Sequence, residues 1–163
     1  HLYHKAYDEA FRAKLGLWKR EEEDQDLIAS LLLRMQQKQA DFTLTFRAFF
    51  SAVDPQNDQT LRQFLGDDDV ADALIARWRE RLQREEVSQT EIQSRIKAAN
   101  PKRIPRNHRV EEVIQAAQAS DDFEPFHRLI RALHHPYEDD PAYEAYEAPA
   151  APHERVRVTF CGT

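Results

Sequence analysis
Apolar side chains return every third or fourth residue along most of the stretch from Leu2 to Leu133, which is the period of helices that each bury one face. The period breaks most sharply at Asn100-Pro101-Lys102-Arg103-Ile104-Pro105. Neither proline has a backbone donor, and each biases the residue before it away from helical geometry. Asn100 to Ile104 is therefore predicted to be a turn that ends one helix and opens the next. Lys102, Arg103, Arg106, His108 and Arg109 gather a basic cluster here, in a chain whose net charge is −6. An exposed, rigid, basic turn suits contact with a carboxylate, a phosphate or another domain; the same cations also serve if they only face water or balance Glu111 and Glu112.

Each earlier helix has its own start and stop signals. Leu2, Tyr3, Ala6, Tyr7, Ala10, Phe11 and Leu15 share one face, and Gly16 follows where a left-handed cap is wanted, with Leu17 for the accompanying apolar contact. The acidic run Glu21 to Asp26 suits the positive end of a second helix striped by Leu27, Ile28, Leu31, Leu32 and Met35. Asp41 is placed to cap a third, on which Phe42, Phe46, Phe49, Phe50 and Val53 recur. So many rings need cover, so this helix is read as the centre of the core rather than a nucleotide-stacking surface. A short helix around Leu61, Phe64 and Leu65 ends at Gly66, and Asp67 to Asp69 lack calcium-loop spacing and read as a cap. The next helix turns Val70, Leu74, Trp78 and Leu82 inward and Arg77, Arg79, Glu80, Arg81, Arg84 and Glu85 outward. Ser88-Gln89-Thr90-Glu91 has capping-box spacing for a helix through Ile92 and Ile96. Beyond the double-proline turn, one helix is predicted to bury Val110, Val113, Ile114 and Ala117. Another, capped by Asp121 or Asp122 with Pro125 in its first turn, is predicted to bury Phe126, Leu129, Ile130 and Leu133.

The expected fold is all-α, an irregular multi-helix bundle of about seven or eight helices with an extended C-terminal tail. Residues 1–136 read as a helical domain and residues 137–163 as an extended, partly mobile tail, because Pro141, Pro149 and Pro152 interrupt a stretch without a sustained apolar period. Arg155 to Phe160 alternates like an edge strand, but no convincing partner strand is offered, so coil is expected. The start at His1, already in helical period by Tyr3, reads as a segment of a larger protein.

The acidic balance argues against nucleic-acid and anionic-membrane binding, and no apolar run is long enough to cross a bilayer. A soluble, cytoplasmic protein is expected. The single cysteine, Cys161, excludes an internal disulfide and a cysteine-rich zinc site; with Arg155 and Arg157 upstream it is a redox candidate. His134, His135, Glu138, Asp139 and Asp140 lie close in sequence, yet adjacent histidines at a helix end share no coordination face, so no metal site is assigned. Without a Gly-rich phosphate loop or a nucleophile beside His127, no catalytic or cofactor-binding residue is assigned in this segment.

The wording from Asn100 onward is more particular than its composition. Asn-Pro-Lys, a hydrophobic step, Arg-Asn-His, then Glu-Glu-Val-Ile-Gln-Ala-Ala, an acidic turn at Ser120 to Asp122, and Leu-Ile-Arg-Ala-Leu-His-His-Pro-Tyr resemble the C-terminal region of the selenoprotein O family of protein adenylyltransferases. More weakly, the resemblance runs from Lys14-Leu15-Gly16-Leu17 through Asp41-Phe42-Thr43-Leu44 to Cys161. It implies a parent enzyme with a kinase-like fold that uses ATP and magnesium to transfer AMP to Ser, Thr or Tyr hydroxyls of protein substrates. The nucleotide site would precede this segment, and no cofactor is expected within it. Residues 1–136 would then be the helical C-terminal domain, partnered by the kinase-like part of the same chain. Asn100, Lys102, Arg106, Asn107, His108 and Arg109 would be interdomain contacts, and Cys161 would pair with a core cysteine. The family's usual ending is Cys or selenocysteine before Ser-Ser, where this chain has Cys161-Gly162-Thr163. A cytoplasmic location of bacterial type is implied, or a mitochondrial one in a eukaryote. A non-catalytic helical interaction module is the alternative.

Overall fold
The computed structural model describes residues 2–151 and 153–154. Among them are eight α-helices and no strand: α1 Leu2–Lys14, α2 Asp24–Lys38, α3 Phe42–Ala52, α4 Gln59–Leu65, α5 Asp69–Gln83, α6 Gln89–Ala99, α7 Asn107–Ser120 and α8 Glu124–His134. Short 3-10 helices lie at Pro55–Asn57 and Pro141–Tyr146. The all-α bundle expected from the period is the fold observed. The candidate strand Arg155 to Phe160 and Cys161 lie outside the described residues. Two compact units divide the chain at the Pro101–Lys102 bond.

In the first unit α1 to α6 surround one apolar core, in which Leu15, Leu31, Phe46, Phe49, Leu61, Leu65, Trp78 and Ile96 are all buried. Its spine is aromatic. Phe11 lies 5.7 Å from Phe46, Phe46 lies 6.0 Å from Phe49, and Phe49 meets Trp78 edge-on at 4.7 Å. The indole Nε1–H of Trp78 donates to the Leu15 carbonyl at 3.0 Å, so the largest buried side chain brings no unpaired donor inside. The rings of Phe42 and Phe50, at the edge of the same stripe, are part-exposed.

Capping follows the sequence closely. Asp41 accepts from the Leu44 amide, Asp68 from Ala71 and Ser88 from Glu91, setting the starts of α3, α5 and α6. Gly16, at φ +76°, closes α1 with the Leu17 amide donating back to Arg12 at 2.9 Å, and a Cβ there would press on Ile92 and Ile96 at 3.0 Å.

On α5 and just past its end the structure corrects both charged and apolar expectations. Arg81 and Glu85, read as part of an outer face, are buried, and so is Asp24. Arg81 donates to Asp24 at 2.7 Å, to Glu85 at 2.9 Å and to the Lys19 carbonyl at 2.5 Å. Glu85 also accepts the Trp18 amide at 2.9 Å, so the three side chains pin the α1–α2 connection to α5. A buried charge survives only when its hydrogen bonds are filled, as these are. Val70, predicted to face inward, is exposed, because the buried stripe of α5 runs through Ala71, Ile75, Trp78 and Leu82 and leaves Val70 to one side.

In the second unit α7 and α8 form a hairpin on which the 3-10 helix Pro141–Tyr146 packs. The αL residue Asp121 ends α7, and Asp122 accepts the Glu124 amide at 3.0 Å to start α8. Of the apolar residues expected to be buried here, Leu129 is; Ile114, Phe126 and Ile130 are exposed, and Val110, Val113, Ala117 and Leu133 are half-buried. Two packed helices enclose only the arc where they face each other, so the remaining stripe stays open.

Candidate functional site: the basic turn and its clamp
The turn after Pro101 opens the second unit and directs its cations inward as well as outward. Arg103 is only 1% exposed, against the expectation of a solvent-facing cluster. Helix α8 stops before Pro136, leaving the carbonyls of its last turn without helical partners. Arg103 fills that need. Its Nε donates to the Ala132 carbonyl at 3.1 Å, and its Nη2 donates to the carbonyls of His135 at 2.7 Å and Glu138 at 2.9 Å. Its Nη1 donates to the Glu147 carboxylate at 3.2 Å, and the guanidinium lies 5.7 Å from the Tyr143 ring. The planar fork of arginine spans four acceptors at once; a lysine could not.

Lys102 extends the clamp to Asp139 at 3.1 Å and Glu147 at 3.3 Å, and its amide donates to the Pro136 carbonyl at 2.7 Å. Burial pulls the Lys102 ammonium downward, but the hydrogen bonds to Asp139 and Glu147 outweigh it, so it titrates above the ordinary lysine value. Arg109 pairs with Glu112 at 2.8 Å, donates to the Ala145 carbonyl at 2.9 Å and sits 5.9 Å from the Tyr146 ring. Further on, Glu154 is held below its usual range first by the Ala151 amide, against burial, with His108, His153 and Arg109 adding attraction.

The other predicted contact residues have different surroundings. Asn100 belongs to the first unit and is buried there, its amide donating to the carbonyls of Lys14 at 2.8 Å and Ile96 at 2.9 Å while accepting from the Lys14 ammonium at 3.4 Å. Arg106 is the N-cap residue of α7 and Asn107 its first, exposed residue. His108 is buried, with its Nε2 lacking a hydrogen-bond partner among the described residues. Lys102, Arg103 and Arg109 thus share the segment 136–147 as their common target. Sequence reasoning passed over the acceptors, Glu147 above all, because backbone carbonyls carry no residue signature. The unsatisfied end of α8 was the available signal.

The cluster His134, His135, Glu138, Asp139 and Asp140 does not converge: His135 Nδ1 meets Glu138 at 3.1 Å, while Asp139 turns to Lys102. No group of three or more His, Cys, Asp or Glu among the described residues is arranged to hold a metal ion. The arginines and lysine best placed for phosphate, Arg103, Arg109 and Lys102, are already engaged with carboxylates and carbonyls. These residues do not fit a magnesium–nucleotide site. No helix among the described residues is long and apolar enough to cross a membrane.

The family model for the protein adenylyltransferase SelO matches residues 1–134, and the chain belongs to that family. A protein nucleotidyltransferase YdiU of Nitrobacter hamburgensis is 48% identical over 99% of this chain and 32% of its own length. The one from Bradyrhizobium diazoefficiens is 47% identical over 99% of this chain and 33% of its own, and that of Agrobacterium fabrum 48% over 93% and 31%. The chain therefore spans about a third of the length of the curated relatives it matches.

Proposed function
We propose that this chain is the C-terminal, non-catalytic helical part of a protein adenylyltransferase that moves AMP from ATP, with magnesium, to hydroxyl groups of protein substrates. The kinase-like portion of the same protein is its main partner. The observation that carries this reading is the family match along the helices combined with the one-third coverage of the relatives. The inward-turned clamp agrees with it, since Lys102, Arg103 and Arg109 stiffen a scaffold rather than meet a nucleotide. Residues 1–136 act as the helical domain and 137–163 as a tail, with Asn100, Lys102, Arg106, Asn107, His108 and Arg109 contributing to the junction with the catalytic part. Cys161, outside the described residues, serves as a redox handle that forms a disulfide with a cysteine elsewhere in the protein.

The test is AMP incorporation into protein from labelled ATP, comparing the longer protein with residues 1–163 alone. Transfer by the longer protein and none by the isolated chain is expected. Transfer or magnesium–ATP binding by the isolated chain overturns the assignment of a non-catalytic part, and absence of transfer by the longer protein favours a helical interaction module.

A further inference from the structure
The α7–α8 hairpin leaves one apolar face open. On the helical wheel of α8, Phe126 and Ile130 stand four residues apart on one side with Phe123 just before them, and the three are 43%, 38% and 54% exposed. Leu129 and Ala132, on the adjoining arc, are buried beneath the clamp. Single exposed apolar residues are ordinary, but three along one side of a single helix are a patch that water disfavours. His127 and His134 adjoin this side of α8, the His127 ring meeting Phe126 edge-on at 5.6 Å, while Arg131, further round, is paired with Glu124 at 2.6 Å.

We propose that this face, Phe123, Phe126 and Ile130, is the surface by which the second unit docks on the part of the protein that lies outside residues 1–163, meeting there an apolar surface. The proposal rests on the reading of the chain as part of a longer adenylyltransferase. Two observations select this occupant. The relatives are about three times as long as the stretch this chain covers, which provides a large surface to meet. The second unit, with only Leu129 and Ala132 as buried apolar side chains among its described residues, is too thin in core to hold such helices by itself.

The experiment places Phe126→Asp together with Ile130→Asp in the longer protein and in residues 1–163 alone. The longer protein is expected to lose about 3–6 °C of Tm, and amides of residues 123–134 to exchange at least about tenfold faster. The 163-residue chain is expected to change in neither respect. Should the aspartates prevent the longer protein from folding, Phe126→Ala with Ile130→Ala gives the same comparison at smaller amplitude. Equal losses in both proteins would assign the face to cover from within residues 1–163, and sedimentation showing a dimer of the 163-residue chain that the substitutions dissociate would assign it to a second copy. Either result overturns the proposal, as does no effect in either protein. AMP transfer is scored separately: a longer protein without it but with the Tm difference retains the docking surface while losing the catalytic reading.

Discussion

The two units solve the same problem with different materials. Both are built from amphipathic helices of similar length, yet the first closes a continuous apolar core and the second buries just Leu129 and Ala132 fully among its described apolar side chains. Six helices can arrive at Phe49 and Trp78 from several directions, so each stripe finds cover. A hairpin cannot enclose its own outer arcs. What holds the second unit is instead a set of directed bonds centred on Arg103, which ties the end of α8 to the segment 136–147. Apolar burial is non-directional and tolerates small shifts, whereas a guanidinium fork fails once its acceptors move. Damage to the first unit should therefore be global, and damage to the second local.

The largest effect should come from breaking the first unit's centre. Trp78→Ala removes the ring that meets Phe49 and the donor to the Leu15 carbonyl, and should cost about 3–5 kcal/mol in urea unfolding. Arg81→Met should cost a similar amount, about 3–5 kcal/mol, because Asp24 and Glu85 stay buried after their shared cation is gone. Replacing all three by apolar residues of matched size should recover much of that loss, which separates an unpaired-charge penalty from a packing defect. If Arg81→Met costs less than about 1 kcal/mol, the buried cluster is not the fastener described here.

Those two substitutions also mark where the sequence was legible. Trp78 was placed inward by period alone, and the caps at Asp41, Asp68 and Ser88 and the turn at Gly16 were readable because each rests on a local bond with a known residue preference. Arg81 and Glu85 were read outward from their charge, although each stands three residues after a buried position, Trp78 and Leu82, on the border of the stripe. Residue type overrode geometry. For Arg103 the only signal was remote, the unsatisfied end of α8: its partners are carbonyls and a carboxylate some 30 to 45 positions away, brought within reach only when α8 folds back. The open face of α8 was misjudged for the opposite reason, since amphipathic period reports that a face is apolar and says nothing of what covers it.

A smaller and more local effect is expected from Arg103→Met. It leaves the Ala132, His135 and Glu138 carbonyls without that donor and Glu147 with Lys102 alone, a cost of about 2–4 kcal/mol confined to the second unit. Hydrogen exchange is the appropriate measurement. Amides of 129–147 should lose protection while those around Phe46, Phe49 and Trp78 keep theirs. Uniform loss across both units would mean that the clamp and the core unfold as one, and the contrast drawn above would fall. Arg103→Lys should rescue little, because an ammonium cannot reproduce the fork.

The smallest effect separates the units by pH. Asp68 caps α5, pairs with Arg34 and Lys38, and is depressed to about 2, chiefly by the Arg34 hydrogen bond and then by the Ala71 amide. A carboxyl whose folded value lies below its ordinary 3.8 contributes stability above that value and loses it as pH falls toward 2. Lys102 has the opposite sign: raised from 10.5, it contributes below that value and loses its contribution only as strongly alkaline pH passes the folded value. Acid should therefore loosen the start of α5 through Asp68, and alkali the 136–147 segment through Lys102. Thermal melts of Asp68→Asn between pH 5 and pH 2 should show a shallower fall in Tm than the parent chain, with Lys102→Met shallower only on the alkaline side. Parallel curves for Asp68→Asn and the parent would mean that Asp68 titrates alike folded and unfolded, and that the salt bridge with Arg34 contributes nothing to the first unit.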